Sequence, residues 1–233
     1  MSGGRNLVLL SAGLDSAVNL LMAMEHGGVD VAVTVDYGQR AARREVERSR
    51  ALCETYGVDN LVLDATWLAE VGGGALTSPQ ADLPGVEPEQ LADPVQAHEN
   101  MKAVWVPNRN GLLVNMGACV AESRGLRWVI MGLNAEEGAA FPDNTAAFVR
   151  ETNRALGYST LSRVRVRSFT VGWDKLAIMR EAIRRELDFR YVWSCYNGEE
   201  KMCGSCESCV RLLAAASLLR VTGRLERLFS RMP

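Results

Sequence analysis

Histidine is nearly absent from this chain of 233 residues, which carries only His26 and His98. A histidine-rich metal site is therefore excluded. His26 follows an apolar helical pattern, where an imidazole meets terminal carbonyls, and His98 lies in an irregular stretch, so neither is assigned a catalytic role. Basic excess is lacking as well: 26 Lys and Arg stand against 28 Asp and Glu, a formal net charge of -2. That balance argues against a nucleic-acid polymer as partner while leaving a nucleobase-sized ligand open. No apolar run reaches the length of a membrane span, and Met1 to Arg5 lacks the charged and apolar regions of a signal peptide. The expectation is a cytoplasmic protein without a membrane partner, in which thiols stay reduced and cysteines bind metal more readily than they pair. No internal repeat or interdomain linker is evident either.

What is present fits a globular enzyme, with 48% hydrophobic and 23% charged residues, enough to bury a substantial core. Apolar runs at Leu7 to Leu10, Val29 to Val35, Leu61 to Leu63, Trp128 to Met131 and Val164 to Val166 read as strands. Helical patterns fall between and after them, at Ser16 to Glu25, Ala41 to Tyr56, Asn110 to Ser123, Thr145 to Leu156 and Lys175 to Glu186. This alternation predicts an α/β fold with a doubly wound, mostly parallel sheet, whose ligands gather at the carboxyl ends of the strands. Gly72 to Ala103 is rich in Gly, Pro and acidic residues and reads as a lid or mobile excursion.

Between the first strand and the first helix lies Ser11-Ala12-Gly13-Leu14-Asp15-Ser16. A strand end followed by a helix start leaves backbone N–H groups free at the positive end of the helix dipole, which suits phosphate. Ser11 and Ser16 can donate hydroxyls, and Gly13 permits close approach or positive φ. Asp15 is out of place beside phosphates unless a cation lies between them, so Mg²⁺ enters the expectation and the carboxylate is expected to act through it, not through packing. The motif alone reads equally well as a tight turn capped by Asp15 or Ser16.

Cys195, Cys203, Cys206 and Cys209 follow the spacing Cys-x7-Cys-x2-Cys-x2-Cys. Four thiolates so spaced suit one tetrahedral Zn²⁺ per chain with every position filled by protein, a structural site, in preference to an iron–sulfur cluster or two disulfides. Lys201 and Arg211 are candidates to offset its negative charge, and Cys53 and Cys119 read as core residues.

The loop at Ser11 to Ser16 resembles the pyrophosphate loop of the N-type ATP pyrophosphatases, with Ala12 in place of a usual glycine. Together with Asp36-Tyr37-Gly38-Gln39-Arg40, Val106-Pro107-Asn108-Arg109-Asn110, Phe141-Pro142-Asp143 and Trp193-Ser194-Cys195-Tyr196, the chain resembles the QueC family from about Val8 to Leu213. It departs from that family's habits at Ala41, where histidine is frequent, at Asn108, where glycine or alanine is common, and at Asn144 and Thr145, where the family has Cys-Arg.

The resemblance implies an adenine nucleotide alpha hydrolase-like, Rossmann-like domain over residues 1–190, with a four-cysteine zinc-binding helical segment, 191–233, packed on it. It implies an ATP-dependent ligase that converts 7-carboxy-7-deazaguanine and ammonia to 7-cyano-7-deazaguanine, with Mg²⁺ accompanying ATP and a homodimeric assembly. ATP would be held by Leu10, Ser11, Ala12, Gly13, Leu14, Asp15, Ser16, Ala17, Val18, Asn19 and Leu20, with Asp15 and Lys175 catalytic. Gln39, Arg40, Arg109, Asn110, Phe141 and Asp143 would hold the substrate. Two rival readings remain at this point: a sulfur-inserting tRNA modifier, which needs reactive cysteines and a basic surface, and a non-enzymatic zinc module in which the loop is a turn.

Overall fold

The computed structural model describes residues 6–232. Five strands form one sheet: β1 (Asn6–Leu9), β2 (Val29–Asp36), β3 (Asp59–Asp64), β4 (Trp128–Ile130) and β5 (Arg165–Arg167). Their order is β3-β2-β1-β4-β5 and every pairing is parallel, with Leu7 in register with Val31 on one side and Val129 on the other. β1 is central and fully buried, which is why its sequence is apolar without alternation. The chain builds outward from β1 to β3 and then returns to place β4 on the opposite flank. The crevice between the ends of β1 and β4 is thus the switch point at which such sheets bind ligands.

Helices cover both faces. On one lie α1 (Leu14–Glu25), α2 (Ala42–Tyr56), α8 (Lys175–Arg184) and α9 (Glu207–Leu218), whose Leu20, Leu52, Ile178 and Leu212 share a core with Val8 and Ile130. On the other lie α5 (Arg109–Ser123) and α7 (Ala146–Ser159), whose Val114 and Leu156 pack with Leu7, Val31 and Val129. The alternation of β1 side chains between these two sets follows from the two-residue period of a strand. Several helices start on the residue types that favour it: Thr145 caps α7 through Phe148 N (3.1 Å), and Asp174 caps α8 through Ala177 N (2.7 Å).

The excursion contains more order than its composition suggests. Beyond α3 (Trp67–Gly72), a 3-10 turn over Pro88–Ala92 leads into α4 (Pro94–Val104), so His98 is helical and exposed. Asp93 caps α4 through Val95 N at 2.9 Å. Only Asn100 and Val104 are recorded as buried on this helix, too narrow a stripe for an apolar period to reveal. Cys53 is in the core as expected, whereas Cys119 is exposed, on the outer side of α5. His26 Nδ1 lies 2.8 Å from the Met22 carbonyl, the helix-end contact its position predicts.

Candidate active site

The loop after β1 is knitted together by its own hydroxyls. Ser16 donates to the Gly13 carbonyl (3.0 Å), its Oγ lies 3.3 Å from Ser11 Oγ, and Gly13 N–H donates to Ser11 Oγ (3.4 Å). Positive φ falls on Ala12 (58°) and not on Gly13 (-61°), which leaves close approach as the use of the glycine. A left-handed alanine costs about 1 kcal/mol, and Trp193 N–H bonds the Ala12 carbonyl at 2.9 Å to hold it there. Asn108 is likewise left-handed (φ 52°). Ala12, in place of a usual glycine, and Asn108, where glycine or alanine is common, thus both sit at positions whose backbone favours glycine. Gly132, after β4, is required for a different reason: a Cβ there would lie 2.5 Å from Ser16 N, so the β4 end presses directly on the start of α1.

A cavity opens over this crevice, with Leu10, Ser11, Gly13, Leu14, Asp15 and Ser16 in its wall. Ala12, Ala17, Val18, Asn19 and Leu20, expected to contact ATP, are wholly buried, the last four because α1 turns them into the core and Ala12 in the bend ahead of it. Asn19 there bonds the Asp15 carbonyl (2.8 Å) and Thr170 Oγ1 (2.7 Å), fixing the loop from behind.

At the phosphate-loop end of the cavity, Lys175 Nζ lies 2.8 Å from both Asp15 oxygens and 3.5 Å from Glu137 Oε1. Asn134 Nδ2 donates to Asp15 Oδ2 at 2.6 Å, while its Oδ1 accepts from Glu137 N (2.8 Å) and so caps α6 (Ala135–Gly138). The cation beside Asp15 is thus the Lys175 ammonium. Three hydrogen bonds reach the two Asp15 oxygens, one on Oδ1 and two on Oδ2, fewer than the about four that a carboxylate can accept. Burial works against charge on Lys175, but the Asp15 and Glu137 carboxylates outweigh it and hold the amine above its ordinary pKa. Burial likewise opposes charge on Glu137, yet Lys175, Asn134 and Arg109 hold its carboxyl below the usual range.

On the same cavity wall, Arg109 NH1 donates to Tyr37 Oη (3.3 Å), with the guanidinium carbon 5.6 Å from the tyrosine ring centre. Burial opposes the Arg109 charge, but Tyr37, Asp143 and Glu137 offset it. Asn110 and Phe141 share the cavity wall, and Phe141 stacks on Trp105 with ring centres 6.2 Å apart. Gln39 also reaches the wall, but its amide is consumed by Tyr37 N (2.8 Å), the Val35 carbonyl (3.2 Å) and Glu45 Oε2 (2.9 Å). It braces the wall and has little left to offer a ligand. Arg40 points out of the cavity toward the Ala81 carbonyl (3.0 Å), drawn by the excursion. Asp143 stands outside the wall, where its side chain accepts from Asn144 (3.1 Å) and its carbonyl from Asn110 (3.3 Å).

Glu45, Glu137 and Glu207 are functional candidates that sequence reasoning does not single out. The pattern Asn134-x-x-Glu137 was the available signal, since it is a helix-start spacing placed on a strand end. Burial pushes the Glu45 carboxyl up to about 7, against its bond from Gln39.

The four cysteines converge. Their Sγ atoms all lie within 4.8 Å of one another, with Cys195 to Cys203 at 3.5 Å and Cys203 to Cys209 at 4.0 Å. Tetrahedral thiolates about 2.3 Å from one zinc would stand about 3.8 Å apart, so the group could hold a metal ion, consistent with zinc. Backbone N–H groups of Asn197 and Cys206 point at Cys195 and Cys203 Sγ (both 3.3 Å), as suits thiolates. Arg211 does not serve this centre: it bridges Glu136 (2.8 Å) and Glu207 (2.8 Å), because carboxylates lie nearer, and Lys201 is exposed. Among the described residues no helix is long and apolar enough to cross a membrane.

Comparison with known proteins adds to this geometry. The family described as Queuosine biosynthesis protein QueC matches residues 5–218. The 7-cyano-7-deazaguanine synthase of Pelotomaculum thermopropionicum is 43% identical over 212 residues, covering 91% of this chain and 96% of that protein. The protein of the same name from Desulforudis audaxviator is 46% identical over 208 residues, covering 89% and 94%. Among solved structures, an NMN synthetase from Francisella tularensis aligns with a TM-score of 0.46 at 13% identity, over 97% of this chain and 84% of that one, too distant to bear on the site.

Proposed function

Since the chain belongs to the QueC family of queuosine biosynthesis proteins, we propose that it is an ATP-dependent ligase making 7-cyano-7-deazaguanine from 7-carboxy-7-deazaguanine and ammonia. The observation that supports this most directly is a single cavity whose wall carries both the loop after β1 and a charged Arg109. A carboxylate and a triphosphate can meet between them.

A carboxylate is inert toward ammonia until one oxygen is made a leaving group. Attack of that oxygen on the α-phosphorus of ATP expels pyrophosphate and leaves an acyl-adenylate. Ammonia then adds to the acyl carbon, the C–O bond to AMP breaks, and the amide forms with loss of a proton. In a second round the amide oxygen attacks another ATP, and loss of AMP and a proton gives the nitrile. No protein nucleophile takes part. Positioning and charge stabilisation supply the catalysis, so a Ser/His/Asp constellation is not needed.

In this reading Ser11, Gly13, Ser16 and the free N–H groups that start α1 hold the phosphates, and Lys175 neutralises charge as pyrophosphate leaves. Asp15 aims Lys175. Magnesium would accompany ATP, and Asp15 is the carboxylate that would hold it beside the phosphates, since that ion takes one or two carboxylates together with phosphate and water. Arg109 binds the substrate carboxylate, and Asn110, Asp143 and Phe141 border the ring, Asp143 acting through Asn110. Zinc on Cys195, Cys203, Cys206 and Cys209 is structural, tying residues 191–233 to the ATP-binding domain of 1–190. The assembly is a cytoplasmic homodimer. The test is pyrophosphate release: with both the acid and ammonium present, AMP and pyrophosphate should form two for each nitrile. Release independent of the acid, or none at all, would overturn the reading.

A further inference from the structure

The ligase reading accounts for the loop after β1 and for Arg109 but leaves Glu137 without a task. Its side chain is 37% exposed, and the contact it receives from Lys175 is long, at 3.5 Å. The other carboxylates of the cavity wall are committed. Asp15 accepts from Lys175 and Asn134, Glu45 accepts from Gln39, and Glu207 accepts from Arg211. Glu137 is also centrally placed. Lys175, on the phosphate side, touches it, and Arg109, on the substrate side, contributes to keeping its carboxylate charged. The bond that is made and broken joins an Arg109-bound carboxylate to a loop-bound phosphate, so it must lie between these two cations.

We propose that Glu137 is the ammonium site and the general base of the amide-forming step. At neutral pH the nitrogen donor is ammonium, which has no lone pair and cannot attack. A charged carboxylate held only by one long contact attracts that cation, accepts one N–H bond from it and takes its proton, which leaves ammonia beside the acyl carbon. Ammonia adds to the carbon, AMP departs with the C–O electrons, and the surplus N–H proton and the one held on Glu137 pass to solvent. The groups facing Glu137 suit this sequence. Asn134 fixes it through its backbone N–H, while Lys175, Asp15, Arg109, Asp143 and Tyr196 surround it. Phosphate arriving at Lys175 shares that lysine's charge and so raises the proton affinity of Glu137 only once nucleotide is bound.

The inference rests on the ligase reading, and hydroxylamine separates the two. Hydroxylamine is largely uncharged at neutral pH, so it attacks an acyl-adenylate without needing a base to free its lone pair. Glu137→Gln keeps the shape and removes the basicity. It should lower kcat/KM for ammonium by about 100-fold more than kcat/KM for hydroxylamine, the usual scale of a general base, with hydroxamate measured by its iron colour. Glu137→Asp should recover part of the ammonium rate. Equal losses with the two amines, or ammonium use unchanged in Glu137→Gln, would overturn the role of Glu137. Acid-dependent exchange of labelled pyrophosphate into ATP by the unaltered enzyme tests adenylation alone, and its absence would overturn the ligase reading beneath.

Discussion

Asp15→Ala should cost this protein much of its stability as well as its activity. The side chains of Asp15 and Lys175 are each 11% exposed, and the ammonium lies 2.8 Å from both carboxylate oxygens. Removing one partner of such a pair leaves a buried charge, which costs about 3 to 5 kcal/mol. Here Glu137 remains 3.5 Å from Lys175, so the lower end applies. For a chain of this size 1 kcal/mol moves Tm by about 2 to 4 °C, and a loss of about 3 kcal/mol lowers it by roughly 6 to 12 °C. The measurement is thermal and urea unfolding without nucleotide, comparing Asp15→Ala, Lys175→Met and the double variant. The double variant should be more stable than Asp15→Ala, because the orphaned ammonium is gone, with a coupling of about 1 to 3 kcal/mol. An Asp15→Ala protein whose Tm shifts by less than about 2 °C, or single losses that simply add, would refute the reasoning and return Asp15 to a solvated role.

Other outcomes follow from the same geometry. Cys206→Ser should lose the bound metal, about one zinc per chain by elemental analysis in the unaltered protein, and lose thermal stability with it; full metal content in the variant would remove that cysteine from the site. Glu45 has its carboxyl raised from 4.5 to about 7 in the folded chain, so the stability it contributes is fully present below its unfolded pKa and is lost as pH rises through 7. The loss is on the order of 3 kcal/mol, and urea midpoints at acidic and mildly alkaline pH should diverge less in Glu45→Gln than in the unaltered protein. Arg109→Ala should impair turnover of the acid more than turnover of the amide intermediate, since a neutral amide gains less from a guanidinium; equal damage would place Arg109 outside carboxylate binding.

The order and direction of the elements were legible because buried parallel strands announce themselves as short apolar runs, as at Leu7 to Leu10 and Val29 to Val35. α4 was hidden, since a helix that buries little beyond Asn100 and Val104 has no apolar stripe to detect. The convergence of the four cysteines was equally plain, their ligand-like spacing being local in sequence. The polar site was only half visible. Asp15 and Lys175 are 160 positions apart, and nothing local says that they meet. Gln39 and Arg40 looked alike as neighbours in one motif, yet Gln39 braces the wall while Arg40 turns away to Ala81. Ala12 and Asn108 carried information of another kind: glycine habits broken at two left-handed positions mark where the backbone is bent.

The bond from Trp193 to the Ala12 carbonyl ties the two ends of the chain together. Trp193 stands two residues before Cys195, so the shape of a loop near the start of the chain is stored near its end. A change that shifts the segment around Trp193 would release the Ala12 carbonyl and let its left-handed peptide relax. The loop after β1 can thus be reshaped by substitutions that never touch it in sequence.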